Sequence, residues 1–135
     1  MKLNSILRPA TLPLIPVLVA ALLSAPPAEA GTAALHFDLA KSAPQADSTV
    51  AAPTSVKLWF TEVPQEGSVS IRVVDSEGAA IHTADVAQDA EEPTSFSVDL
   101  HHTLAAGAYT VAWRGMGSDG HVVRDDFAFT VAAQR

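Results

Sequence analysis

From Leu35 onward the chain alternates apolar and polar residues in short stretches, each closed within a few positions by Pro, Gly or acidic residues. A period of two sends successive side chains to opposite faces, so each stretch reads as a strand with one face buried and one wet. Leu35 to Leu39 is the first, before the break at Ser42-Ala43-Pro44, and Val56-Lys57-Leu58-Trp59-Phe60 is the second, ended by Pro64 and Gly67. Val69 to Val73 alternates cleanly and turns at Ser76-Glu77-Gly78. Ala80 to Val86 follows, and then the acidic loop from Gln88 to Pro93. Phe96 to Leu100, Tyr109 to Trp113 and Phe127 to Val131 complete the set. Seven short strands with turns between them predict an all-β, immunoglobulin-like Greek-key β-sandwich. Gly107-Ala108-Tyr109 sits where a tyrosine corner would close, and Trp59 and Trp113 are expected in the core between the sheets.

The residues ahead of this pattern read differently. Lys2 and Arg8 accompany an apolar run from about Ala10 to Ala25, and Ala28-Glu29-Ala30 offers small residues at both positions a signal peptidase reads. The run contains Pro13 and Pro16 and falls short of the roughly 20 apolar residues a membrane span needs. Residues 1–30 are therefore expected to be a cleaved secretory signal, and 31–135 a single mature domain exported to the periplasm. The chain has no Cys, which removes disulfides, thiolate metal sites and a lipid anchor through Cys. Beyond residue 30 stand six Lys and Arg against fourteen Asp and Glu, a formal charge of −8. That balance argues against nucleic acid and anionic membrane surfaces and favours cations, although it also simply keeps a small exported domain soluble. No Gly-x-Ser-x-Gly elbow and no phosphate-cradling Gly loop occurs, so a binding protein rather than an enzyme is expected.

Strand parity locates the chemistry. If successive strands run antiparallel, the start of the first strand shares an end of the sandwich with the loops after the second, fourth and sixth. His36 should then lie beside Ser118-Asp119-Gly120-His121, with Glu62, Glu66, Asp89, Glu91 and Glu92 at the same end. His101 and His102 fall at the opposite end, and His82 reads as a solvent-facing strand residue. Two imidazoles and a carboxylate from His36, Asp119 and His121 would suit one Cu(II) ion and tolerate Zn(II). Gly120 allows the turn that aims both loop side chains at one point. On spacing alone, exposed loop histidines with no ligand are the alternative.

At these residues the sequence resembles the CopC family of periplasmic copper-binding proteins, from about Leu35 to Val131. The landmarks are His36, then Ser42 to Asp47, then Val56-Lys57-Leu58-Trp59-Phe60-Thr61-Glu62. Most specific are Leu104 to Arg114, Ser118-Asp119-Gly120-His121 and Phe127 to Val131. The resemblance implies a seven-stranded sandwich binding one Cu(II) through His36, Asp119 and His121. It further implies a role in copper tolerance or in supplying copper to a membrane partner, an inner-membrane copper transport protein of the CopD type. A monomer that inserts in no membrane once the signal is removed is expected.

Two departures from the family pattern matter. The first His of the family is commonly the mature N-terminus, its amine a further ligand, whereas cleavage before Gly31 leaves five residues ahead of His36. The Met-rich loop that some members use for Cu(I) is missing, since Met116 is the sole Met beyond residue 30. A second reading therefore stands beside the carrier: a CopC-like interaction module of the cell envelope without tight metal binding. A copper oxidase using a histidine brace would need the terminal amine and an open substrate face.

Overall fold

A computed structural model of the chain describes Ala10, Thr11 and residues 36–135. The expected signal segment, residues 1–30, lies outside the described residues apart from Ala10 and Thr11, as do the five residues ahead of His36. The chain divides into two units, Met1–Thr32 and Ala33–Arg135, and every strand among the described residues belongs to the second.

Its described residues form eight strands: β1 (Leu39–Ala43), β2 (Thr49–Val50), β3 (Ser55–Phe60), β4 (Ser70–Asp75), β5 (Ala87–Gln88), β6 (Ser95–Asp99), β7 (Gly107–Met116) and β8 (Val122–Val131). They build two four-stranded sheets, ordered β1-β3-β6-β5 and β2-β8-β7-β4. No helix occurs among the described residues. The all-β sandwich is as expected, with a count of eight where seven were read. The difference is two two-residue strands gained and one expected strand, Ala80 to Val86, lost. β2 adds to the end of β8 in parallel register, Thr49 beside Thr130. β5 pairs with β6 through Ala87 and Ser97.

The expected fourth strand, Ala80 to Val86, is not continuous. Ala80 bridges Val74 in one sheet, Thr83 bridges Leu100 beside the other, and β5 then joins β6. The segment crosses between the sheets, so it cannot sustain pairing in either.

Alternation sorts the core. Val56, Leu58 and Phe60 of β3 point inward and are almost fully buried, as are Val111 and Trp113 of β7 and Phe129 and Val131 of β8. The Tyr109 hydroxyl donates to the Ala105 carbonyl at 2.8 Å, closing the tyrosine corner. Trp59 departs from expectation. It occupies the outward parity of β3, half-buried, its indole Nε1 donating to Glu92 Oε2 at 3.0 Å. Lys41 Nζ lies 4.2 Å and Lys57 Nζ 5.0 Å from its ring, so lysine stems and charges cover the outer face in place of the core.

Candidate metal centre

Two long strands and a tight loop present the first pair of donors. β7 and β8 run antiparallel to their last pair, Met116 opposite Val122, and residues 117–121 join them. Gly120 N donates to the Gly117 carbonyl at 3.0 Å and Gly117 N to the His121 carbonyl at 3.1 Å. Gly120 has φ +80°, a left-handed conformation that side-chain-bearing residues adopt at a cost. Within this loop Asp119 grips His121 twice: Oδ1 accepts the His121 backbone N–H at 2.9 Å, and Oδ2 lies 2.9 Å from ring Nδ1. These contacts hold the Asp119 carboxyl below the ordinary carboxylate range. The His121 backbone N–H is the largest cause and the His121 ring the next, with the charges of His121 and His36 adding. With the shared proton on Nδ1, ring Nε2 is left as the free lone pair, the arrangement in which a carboxylate orients a metal-binding imidazole. Both side chains are open to solvent, His121 at 84% and Asp119 at 45% of their full exposure.

The His36 segment is carried beside this loop because the next residue packs on the end of β7. Phe37 is buried against Phe60 and Trp113. It passes so close to Gly115 and Gly117 that an added Cβ would meet the Phe37 ring at 2.5 Å in one case and Phe37 Cβ at 2.8 Å in the other. Thr61, just past β3, clamps the segment. Its N–H donates to the Asp38 carbonyl and its hydroxyl to the His36 carbonyl, both at 2.9 Å, while the hydroxyl oxygen accepts Asp38 N–H at 3.0 Å. Glu62 Oε1 accepts the Ser118 N–H at 2.9 Å and Gln65 Nε2 donates to the Gly117 carbonyl at 3.0 Å, tying the 117–121 loop to the same turn.

The structure thus joins Asp119 to His121 and brings His36 within electrostatic range of Asp119. No three His, Asp or Glu side chains among the described residues already stand at the distances of a metal site. His101 and His102 follow β6 at the far end, beyond its Asp99–Ser55 pair, as parity requires. The acidic loop lies at the expected end, beside the Phe60 N–H bond to the Thr94 carbonyl, but turns its carboxylates elsewhere. Asp89 pairs with Lys57 at 3.1 Å and Glu92 with Trp59, so these carboxylates serve the outer face of β3. Phe37, Thr61, Gln65 and the two glycines had no signal in the sequence as parts of a site. Their role comes from packing across elements far apart in the chain.

A disulfide-free β-sandwich with imidazole and carboxylate donors on the connections at one end is the class of protein this fold and site define. The CopC domain family matches residues 39–132. Copper resistance protein C of Escherichia coli is 35% identical over 107 residues, 74% of this chain and 84% of that protein. The crystal structure of CopC from Methylosinus trichosporium OB3b superimposes with a TM-score of 0.67 at 34% identity, covering 74% of this chain and 97% of that one. Copper transport protein CutJ of Bacillus subtilis (strain 168) is 28% identical over 101 residues, 74% of this chain and 19% of that longer protein. The chain belongs to the CopC family.

Proposed function

We propose that the protein is a periplasmic Cu(II) carrier that binds one ion through His36, His121 and Asp119 and passes it to a membrane copper transport protein of the CopD type. The observation that carries this reading is the Asp119–His121 contact, which orients one imidazole and keeps an ionised carboxylate beside it, in a loop against which the His36 segment is clamped. The donor set fits the metal. Imidazole and carboxylate suit Cu(II), and no thiolate and a single half-buried thioether, Met116, are present beyond residue 30 to favour Cu(I). The family's names for copper resistance and copper transport supply the biological direction. Secretion through the 1–30 signal supplies the compartment.

Cu(II) titration of the exported protein tests the reading. His121→Ala should weaken binding by on the order of 100-fold or more, since loss of even an outer partner of a metal-bound imidazole costs about 10–100-fold. His36→Ala should weaken it severely. Unchanged affinity in the His121 variant would refute the centre. It would favour the second reading, a CopC-like envelope module without tight metal binding, whose support is that no three described donors stand ready at ligand distances.

A further inference from the structure

The crossing segment between β4 and β5 creates a second juxtaposition of donors at the far end of the sandwich. Thr83 bridges Leu100 in antiparallel sense. Ala84 N donates to the Asp99 carbonyl at 2.8 Å, and His101 N donates to the His82 carbonyl at 3.3 Å. Those two bonds flank the bridge, so Thr83 and Leu100 form its non-hydrogen-bonded pair. His82 therefore stands directly opposite His101, and Ala84 opposite Asp99. Residues directly opposite in antiparallel pairing project on one face, with Cα atoms about 5.5 Å apart at a hydrogen-bonded position. Ile81 and Leu100 pack against the core, so the intervening parity, His82, Asp99 and His101, faces outward, and all three are exposed. None of the three takes part in an ion pair among the described residues.

We propose that His82 and His101 form a second, weaker cation site, with Asp99 as third donor, taking a borderline divalent ion and Cu(II) ahead of Zn(II). Metal–imidazole bonds of about 2.0–2.1 Å require the two ring nitrogens to approach to about 3–4 Å. Rings rooted at opposite positions on one face reach this by side-chain rotation. The backbones are already held by the bridge, so binding orders only side chains. A carboxylate on the same face offsets part of the ion's charge, and Cu(II) stands highest in affinity for nitrogen and oxygen donors. His101 and His102 both lie in the bend that leaves the pairing, and of the two it is His101 whose N–H bonds across the chain to His82. The site rests on strand register and is independent of the centre at His36 and His121.

Histidine ring proton resonances, followed by NMR during Cu(II) titration, test the site. Paramagnetic Cu(II) should broaden the His82 and His101 signals together as a second equivalent is added. His82→Gln and His101→Gln should each weaken that second event by roughly 10-fold or more. His102→Gln should leave it unchanged, and Asp99→Asn should lower it by less. The circular dichroism of each variant, all at exposed positions, should match the parent. Separate broadening of His82 and His101, equal effects of His101→Gln and His102→Gln, or no second event up to millimolar Cu(II) would each overturn the site.

Discussion

Asp119 is the residue on which the proposed centre turns, because it contacts His121 through both carboxylate oxygens and feels the charge of His36. Its carboxyl lies below the ordinary range, so it stays ionised while imidazoles, which titrate near about 6.5 when unperturbed, take up protons. Cu(II) must displace those protons. Affinity should therefore fall as pH drops through the imidazole range, and Asp119→Asn should lower affinity across the whole of that range. Cu(II) titrations between about pH 5 and pH 8 check both. A fall centred in the carboxylate range would contradict it. The folding linkage has the usual sign for a depressed carboxyl. Its contribution is present above the unfolded value of about 3.9 and is lost as pH falls through the lower folded value. Because Asp119 is exposed, that contribution is small.

At the scale of elements, β7 does two jobs with one alternation. Tyr109, Val111 and Trp113 fill the core, and the same parity then runs into Gly115 and, just past the strand, Gly117, where side chains disappear and Phe37 takes the space. A methyl at Gly117 would lie 2.7 Å from Glu62 Oε1 and 2.8 Å from Phe37 Cβ, and Phe37 Cβ is rooted to the backbone, so it cannot swing aside. Gly117→Ala should push the His36–Phe37 segment off the strand and loosen the Glu62 bond to Ser118. The expected outcome is a folded protein with weakened Cu(II) binding, although no donor has been changed. Cu(II) titration beside circular dichroism distinguishes this from general unfolding. Full Cu(II) affinity in the variant would mean that the segment's seat on β7 does not matter to the centre.

Taken whole, the domain carries no cross-link, since the chain has no Cys. Its stability rests on one core between two sheets and is open to ligand linkage. An ion that binds the folded form alone stabilises it by about 2.7 kcal/mol at a free concentration 100-fold above its Kd. For a domain of this size that is a rise in Tm of roughly 10 °C or more. Cu(II) should raise the unfolding temperature of the parent by about that amount. It should do far less for His121→Ala at the same concentration, as read by thermal circular dichroism. Equal shifts in the two proteins would place the stabilising ion somewhere other than the His121 loop.

What the sequence determined by itself follows from a period of two. That period marked the long strands and their inward residues, and counting antiparallel reversals assigned His36 and the Asp119–His121 loop to one end and His101 to the other. Parity within β3 even held the correct orientation of Trp59. Val56, Leu58 and Phe60 take the inner face, so Trp59 must take the outer one, and its size alone had suggested the core. Local patterning could not reveal contacts between segments remote in the chain, because these depend on register and on how two sheets close over each other. Only the tertiary structure decided that Ala80 to Val86 crosses between sheets, that His101 lies opposite His82 beside the Thr83–Leu100 bridge, and that two glycines at the end of β7 make room for Phe37. Each is a matter of which backbone lies opposite which, fixed when the core is packed and not before.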